Sequence, residues 1–160
     1  MNSTNRDVRS ERSLYFRLNT NKSCNLHCPF CCQKAANVKE QEDESSLDMI
    51  IESFKKAEKY IFMEYGKMAT QISLIGGEIS ILKESELQKL ASALQNYNVY
   101  ITTNGTHLDK LKCFDNGKCT FNISLHETEC YIEKIIADKS VSQKGYNVLM
   151  TANNVDFVNK

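Results

Sequence analysis

Several things are missing from this chain of 160 residues, and each absence narrows what it can be. Net charge is the first: 20 basic and 20 acidic side chains cancel. No overall field therefore draws the chain to an anionic membrane or to nucleic acid, and the composition does not indicate nucleic acid as a partner. No run of about 18 apolar residues occurs, so nothing reads as a membrane span. Met1 to Ser13 form a polar tail without the apolar centre of a signal peptide. Seven cysteines in such a chain read as reduced thiols or metal ligands in a cytoplasmic setting. Their odd number does not suit a closed disulfide framework. Residues 14–160 are then expected to form a single domain, long enough for a real core.

Against these absences stands one dense feature. Cys24, Cys28 and Cys31 lie in the run Cys-Asn-Leu-His-Cys-Pro-Phe-Cys. Clusters that only carry electrons are usually closed by four cysteines, and tetrahedral zinc sites also want four ligands. Three thiolates on one short loop can instead hold three irons of a cubane and leave the fourth iron open for chemistry. Cys32 and His27 are nominal fourth ligands, but adjacent residues rarely reach one metal with good geometry. No second Cys/His pair of the zinc kind follows downstream. Zinc and a disulfide stay open as alternatives at this point.

Leu14 to Thr20 reads as a strand running straight into the cysteine loop. Gln33 to Ser46 is a polar connector in which Lys39 to Glu44 is a solvated charge run. Ser45 with Asp48 suggests a capping box for a helix from Leu47 to Tyr65, where Leu47, Ile50, Ile51, Phe54, Ala57 and Ile61 share a face. Gly66 stops it. The pattern then repeats. Gln71 to Ile75 is a strand ending in Gly76-Gly77-Glu78, and a helix follows with Leu87, Leu90, Leu94 and Tyr97 on one face. Asn98 to Thr103 is a third strand, Thr106 to Phe114 a short helix or turn, and Cys119 to Leu125 a fourth strand. Glu127 to Asp138 is a helix and Tyr146 to Ala152 a fifth strand. Alternation of this kind gives a parallel sheet. A full eight-unit barrel takes about 250 residues, so Leu14 to Asn154 supplies about 4.5 units. The expected fold is α/β: a partial (β/α) TIM-like barrel of about five parallel strands and four helices, not closed.

Parallel α/β folds bind ligands at the carboxyl ends of their strands. The unusual residues fall there: the cysteines after strand one, Gly76-Gly77-Glu78 after strand two and Thr102-Thr103-Asn104-Gly105 after strand three. Asn122 to His126 ends strand four, and Thr151 to Asn154 ends strand five. Taken in this order, the three-cysteine loop, the Gly-Gly-Glu end, the Thr-Asn-Gly end and the serine-bearing fourth strand resemble the radical S-adenosylmethionine (radical SAM) superfamily. The likeness runs from about Leu14 to Asn154.

The resemblance implies that Cys24, Cys28 and Cys31 hold a [4Fe–4S] cluster whose open iron takes the amine and carboxylate of S-adenosylmethionine (SAM). Reductive cleavage would then yield methionine and a 5′-deoxyadenosyl radical that abstracts hydrogen from a substrate. By position, Phe30 is expected near the adenine, although a loop-anchoring core aromatic is its ordinary reading. Gly76 and Gly77 are expected to let the backbone approach the methionine amine, and Glu78 to support that ammonium. Ser124 falls where the family presents a polar group to the ribose. Asn104 either caps its turn or lines the SAM pocket. His126, Asn153 and Arg17 are lesser candidates.

Ile79 departs from the family, where proline often follows Gly-Gly-Glu, and no sixth strand is evident. Cys113, Cys119 and Cys130 are expected as small buried hydrophobes, and Met63, Met68 and Met150 as core or edge residues. The loop Thr-Asn-Lys-Ser-Cys-Asn-Leu-His-Cys looks most like relatives that modify peptides or proteins. The rival readings are an activase for a partner glycyl-radical enzyme and a non-catalytic iron–sulfur or SAM-binding module in a larger assembly. Implied partners are a flavodoxin- or ferredoxin-like electron donor, a peptide, protein or small-molecule substrate, and a chain that completes the barrel. Such an enzyme is expected to be oxygen-sensitive.

Overall fold

The computed structural model describes residues 14–31, 46–125 and 129–148. Five strands alternate with helices: β1 (Leu14–Asn19), α1 (Leu47–Tyr65), β2 (Ala69–Ile75), α2 (Glu84–Leu94), β3 (Asn98–Thr103), β4 (Cys119–Leu125), α3 (Glu129–Ala137) and β5 (Lys144–Val148). Short 3-10 helices at Ile79–Ile81 and Leu108–Phe114 complete the crossovers. The strands pair in chain order, every pair parallel, in one open sheet. This is the partial barrel the alternation predicts.

Each strand has one apolar face because side chains alternate across a sheet. On β4 the buried residues are Cys119, Phe121, Ile123 and Leu125, with half-buried Thr120, Asn122 and Ser124 between them. The register carries the alternation across the sheet, so that Leu18, Leu74, Ile101 and Phe121 form one apolar row. That row joins Phe54, Leu87, Leu90, Leu94, Leu111, Ile132 and Ile135 from the helices in a single core cluster. Burying each such side chain contributes about 1.5–3 kcal/mol. The neighbouring row on the opposite face is Arg17, Ser73, Tyr100 and Thr120. Arg17, whose side the sequence leaves undecided, therefore belongs to this polar face, its guanidinium 5.7 Å from the Tyr15 ring centroid.

Most element boundaries agree with the sequence, and the differences have local causes. Helix α1 is capped by Ser46, whose hydroxyl accepts from the Met49 amide at 3.3 Å. The expected cap, Ser45, lies outside the described residues. Gly66 ends α1 in a left-handed conformation. Tyr97 falls beyond α2, yet still packs edge-on against Phe54 at 5.5 Å. Ile79 is 3% exposed and starts its 3-10 turn from inside the core, so proline is not needed there. Met63 and Met68, expected in the core or at its edge, are exposed and so lie outside the core. Met150 and residues 1–13 lie outside the described residues.

Candidate functional site

The cysteine loop is held from its first residues by the end of β2. Just past β1, the Thr20 amide donates to the Ile75 carbonyl at 2.9 Å. The Gly77 amide then donates to the Asn21 carbonyl, and the Glu78 amide to the Ser23 carbonyl, both at 2.8 Å. The Asn21 side chain returns a hydrogen bond to the Glu78 carbonyl at 3.0 Å. Backbones this close leave no room for side chains. A Cβ on Gly76, whose φ is +142°, would lie 2.3 Å from the Asn21 oxygen, and one on Gly77 would lie 1.8 Å from the Ser23 oxygen. The close approach that these glycines allow is thus first of all to the cysteine loop itself.

Glu78 turns inward and is 1% exposed. One carboxylate oxygen accepts from the Ser80 amide at 3.0 Å and the Thr103 hydroxyl at 2.6 Å, and the other from the Asn104 amide at 2.7 Å. A buried carboxylate without such donors would be costly. With them, it ties the end of β2 to the end of β3. Its hydrogen bonds therefore go to the protein's own donors.

The end of β3 reaches the cysteines through side chains. The Asn104 amide oxygen accepts from the backbone and hydroxyl of Thr106 at 3.0 and 2.7 Å. Its amide nitrogen donates to the Asn25 oxygen at 2.9 Å and lies 3.8 Å from the Cys24 sulfur. Asn25 completes the circuit to the Thr106 hydroxyl at 2.9 Å. Tyr131, on α3, donates to the Asn104 carbonyl at 2.9 Å. Farther along the loop, the Cys31 amide donates to the Cys28 carbonyl at 3.1 Å, closing a tight turn.

Above these ends lies a cavity of about 410 Å³. The nine principal ligand and pocket candidates from the sequence line it: Cys24, Cys28, Cys31, Phe30, Gly76, Gly77, Glu78, Asn104 and Ser124. Phe30 is 47% exposed, which makes it a wall of the cavity and no core anchor. Thr102 and Thr103, named from the sequence with the end of strand three, also line it, and so does Asn147, which was not singled out. Asn147 pairs in register with Ser124. The signal for it was the alternation of β5 once Ser124 fixes which face looks inward. Neither the Ser124 nor the Asn147 side chain makes a hydrogen bond among the described residues, so both have polar capacity to offer a ligand.

His126, Cys32, Asn153 and the side chain of Cys130 lie outside the described residues. Cys119 is 1% exposed, and burial pushes its thiol up to about 12, as suits an inert core residue. Cys113 is exposed on the 3-10 helix, not buried as expected. A second cavity of about 460 Å³ behind the loop contains none of the cysteines, and two of its lining residues, Asp48 and Lys89, form an ion pair.

The residues fit an iron–sulfur cluster. Cys24, Cys28 and Cys31 share one cavity wall, and cysteine thiolates are the donors such clusters take. No three His, Cys, Asp or Glu side chains among the described residues converge to hold a single metal ion. A cubane asks for something else, one thiolate at each of several irons. Among the described residues no helix is long and apolar enough to cross a membrane. No curated protein matches the chain. The family model of the radical SAM superfamily matches residues 18–156, most of the chain, and takes in the cysteine loop and all five strand ends: the chain belongs to the radical SAM superfamily.

Proposed function

We propose that this protein is a radical SAM enzyme in which Cys24, Cys28 and Cys31 hold a [4Fe–4S] cluster and the cavity above them holds SAM. The observation that carries the reading is the convergence of three cysteine side chains and the ends of four further strands on one cavity. When bound, the cluster supplies one electron that cleaves SAM to methionine and a 5′-deoxyadenosyl radical, which takes a hydrogen atom from the substrate.

The chain's own residues do the placing. Gly77 and Glu78 fix Asn21 and Ser23 and so aim the loop that carries the thiols. The Gly76–Gly77 backbone forms the floor where the methionine end of SAM would lie. Phe30 offers an exposed ring to the adenine. Ser124 and Asn147, side by side on neighbouring strands, offer hydrogen bonds to the nucleoside. Glu78 acts through Thr103 and Asn104, holding the β3 end in place, before any direct contact with an ammonium group.

The substrate class we put forward is a peptide or protein. The loop sequence supports it, as does the polar face of Arg17, Ser73, Tyr100 and Thr120, which runs away from the cavity along the open sheet. An electron donor of the flavodoxin or ferredoxin kind would supply the reducing equivalent. The test is anaerobic reconstitution with iron and sulfide, followed by SAM and dithionite, with 5′-deoxyadenosine read by mass spectrometry. Product that disappears in Cys28→Ala is the expected result. A cluster-loaded protein that binds SAM and never cleaves it would point to a binding module.

A further inference from the structure

Asn104 is expected from the sequence to cap a turn or to contact SAM; its oxygen does cap the turn, at Thr106, and its nitrogen has a further task. A carboxamide has two donor hydrogens and one acceptor oxygen with two lone pairs. Which end is oxygen follows here from chemistry. The Thr106 amide, 3.0 Å away, can only donate, so the atom facing it is the oxygen. That oxygen also takes the Thr106 hydroxyl. The nitrogen is thereby turned toward the cysteine loop, one hydrogen going to the Asn25 oxygen at 2.9 Å and the other facing the Cys24 sulfur at 3.8 Å. The Leu26 amide approaches the same sulfur at 3.4 Å. The Asn104 side chain is therefore fully used, and it is 7% exposed.

We infer that Asn104 is a positioning residue that sets the reduction potential of the cluster through Cys24. The inference rests on the radical SAM reading above. Adding an electron to a cluster adds negative charge, and part of that charge falls on the thiolate sulfurs. An N–H dipole aimed at a thiolate stabilises the reduced form more than the oxidised one and so raises the potential. Low exposure keeps water from replacing the donor. Only the difference between the two redox states counts; about half of the larger value usual for a hydrogen bond to a charged group moves the reduction equilibrium about tenfold, or ~59 mV for one electron.

The test is an EPR-monitored redox titration of the reconstituted protein, without SAM, on wild type, Asn104→Leu and Thr106→Val. Leucine has nearly the same shape and no donor, so the midpoint is expected to fall by an amount equal to about a tenfold shift. Thr106→Val leaves the donor in place but removes one of the groups that aim it, and the fall should be smaller, about threefold. Thermal unfolding is read in parallel, since a residue that only braces the turn would lower the melting temperature and leave the midpoint alone. An unshifted midpoint in Asn104→Leu overturns the inference. If that variant holds no cluster, an unshifted midpoint in Thr106→Val overturns it. A wild-type protein that takes up no cluster overturns the functional reading, and this inference with it.

Discussion

The two walls of the cavity are built from similar polar residues and put them to opposite use. At the ends of β2 and β3, the hydrogen-bonding capacity of Glu78, Thr103 and Asn104 is spent inside the chain. At the ends of β4 and β5, the Ser124 and Asn147 side chains make no hydrogen bond among the described residues, though both line the same space. The difference separates two tasks that a list of pocket residues would merge. The first wall builds the site by holding the cysteine loop, and the second is left free to meet a ligand. Substitutions in the first wall should therefore damage the fold and cluster together, while those in the second should weaken ligand binding and leave stability alone.

The sharpest break of this contrast is Gly77→Ala. Its new methyl would stand 1.8 Å from the Ser23 oxygen, and that neighbour is backbone, which cannot swing aside. Overpacking typically costs 1–3 kcal/mol; with backbone as the obstacle, about 3 kcal/mol or more is expected, together with loss of cluster uptake. Chemical denaturation and iron content would read the two effects. Glu78→Gln comes next. It keeps the shape but puts an NH2 against a donor, either the Asn104 amide or the Ser80 amide with the Thr103 hydroxyl. A buried donor left without an acceptor costs about 1–3 kcal/mol. A variant as stable as wild type would show that the first wall is not held by this carboxylate.

How much of this was legible beforehand depends on the kind of bond involved. The strands were readable because their apolar residues alternate, and the cavity residues because chemistry collects at carboxyl ends in parallel folds. Gly76 and Gly77 were found for their lack of side chains, but the backbone they accommodate, residues 21–23, is distant in sequence and gives no signal of its own. Glu78 and Asn104 were recognised as site residues, yet their partners depend on a side-chain network linking three strand ends, which no spacing encodes. Asn147 was missed because the fifth strand was expected to run to Ala152, so ligand-facing residues were sought at Thr151 to Asn154 and Asn147 read as an ordinary early strand position. The cap of α1 slipped by one residue for a simpler reason: two serines in a row offer the same chemistry, and the backbone picks Ser46.

The second wall predicts smaller effects of another kind. Ser124→Ala and Asn147→Ala each remove one side-chain hydrogen bond from a bound nucleoside, worth about 1 kcal/mol, so SAM affinity should fall about fivefold per variant. Calorimetric titration of SAM into the anaerobic, cluster-loaded protein would measure it. Unfolding free energies should stay within about 0.5 kcal/mol of wild type, as for substitutions away from internal partners. If either variant lost several kcal/mol, the division between the walls would fail on this side.

Tyr97→Phe sharpens the contrast from outside, because it breaks a partly buried hydrogen bond away from the cavity. The Tyr97 hydroxyl donates to Glu58 at 2.6 Å, and the other Glu58 oxygen is buried without a partner in the described structure. The loss should be about 1 kcal/mol at neutral pH, with cluster uptake and SAM affinity unchanged. Its pH dependence reports the surroundings of the hydroxyl. Burial first, and then the Glu58 carboxylate, push the Tyr97 hydroxyl up to about 12, against about 10 in an unfolded chain. Between those values the unfolded chain releases the proton while the folded one keeps it, so this contribution is complete below pH 10 and declines toward 12. Wild type should thus lose its advantage over Tyr97→Phe across that window. A gap that stayed constant with pH would mean that in solution the hydroxyl is neither buried nor bonded to Glu58 as described, and that the variant reports packing alone.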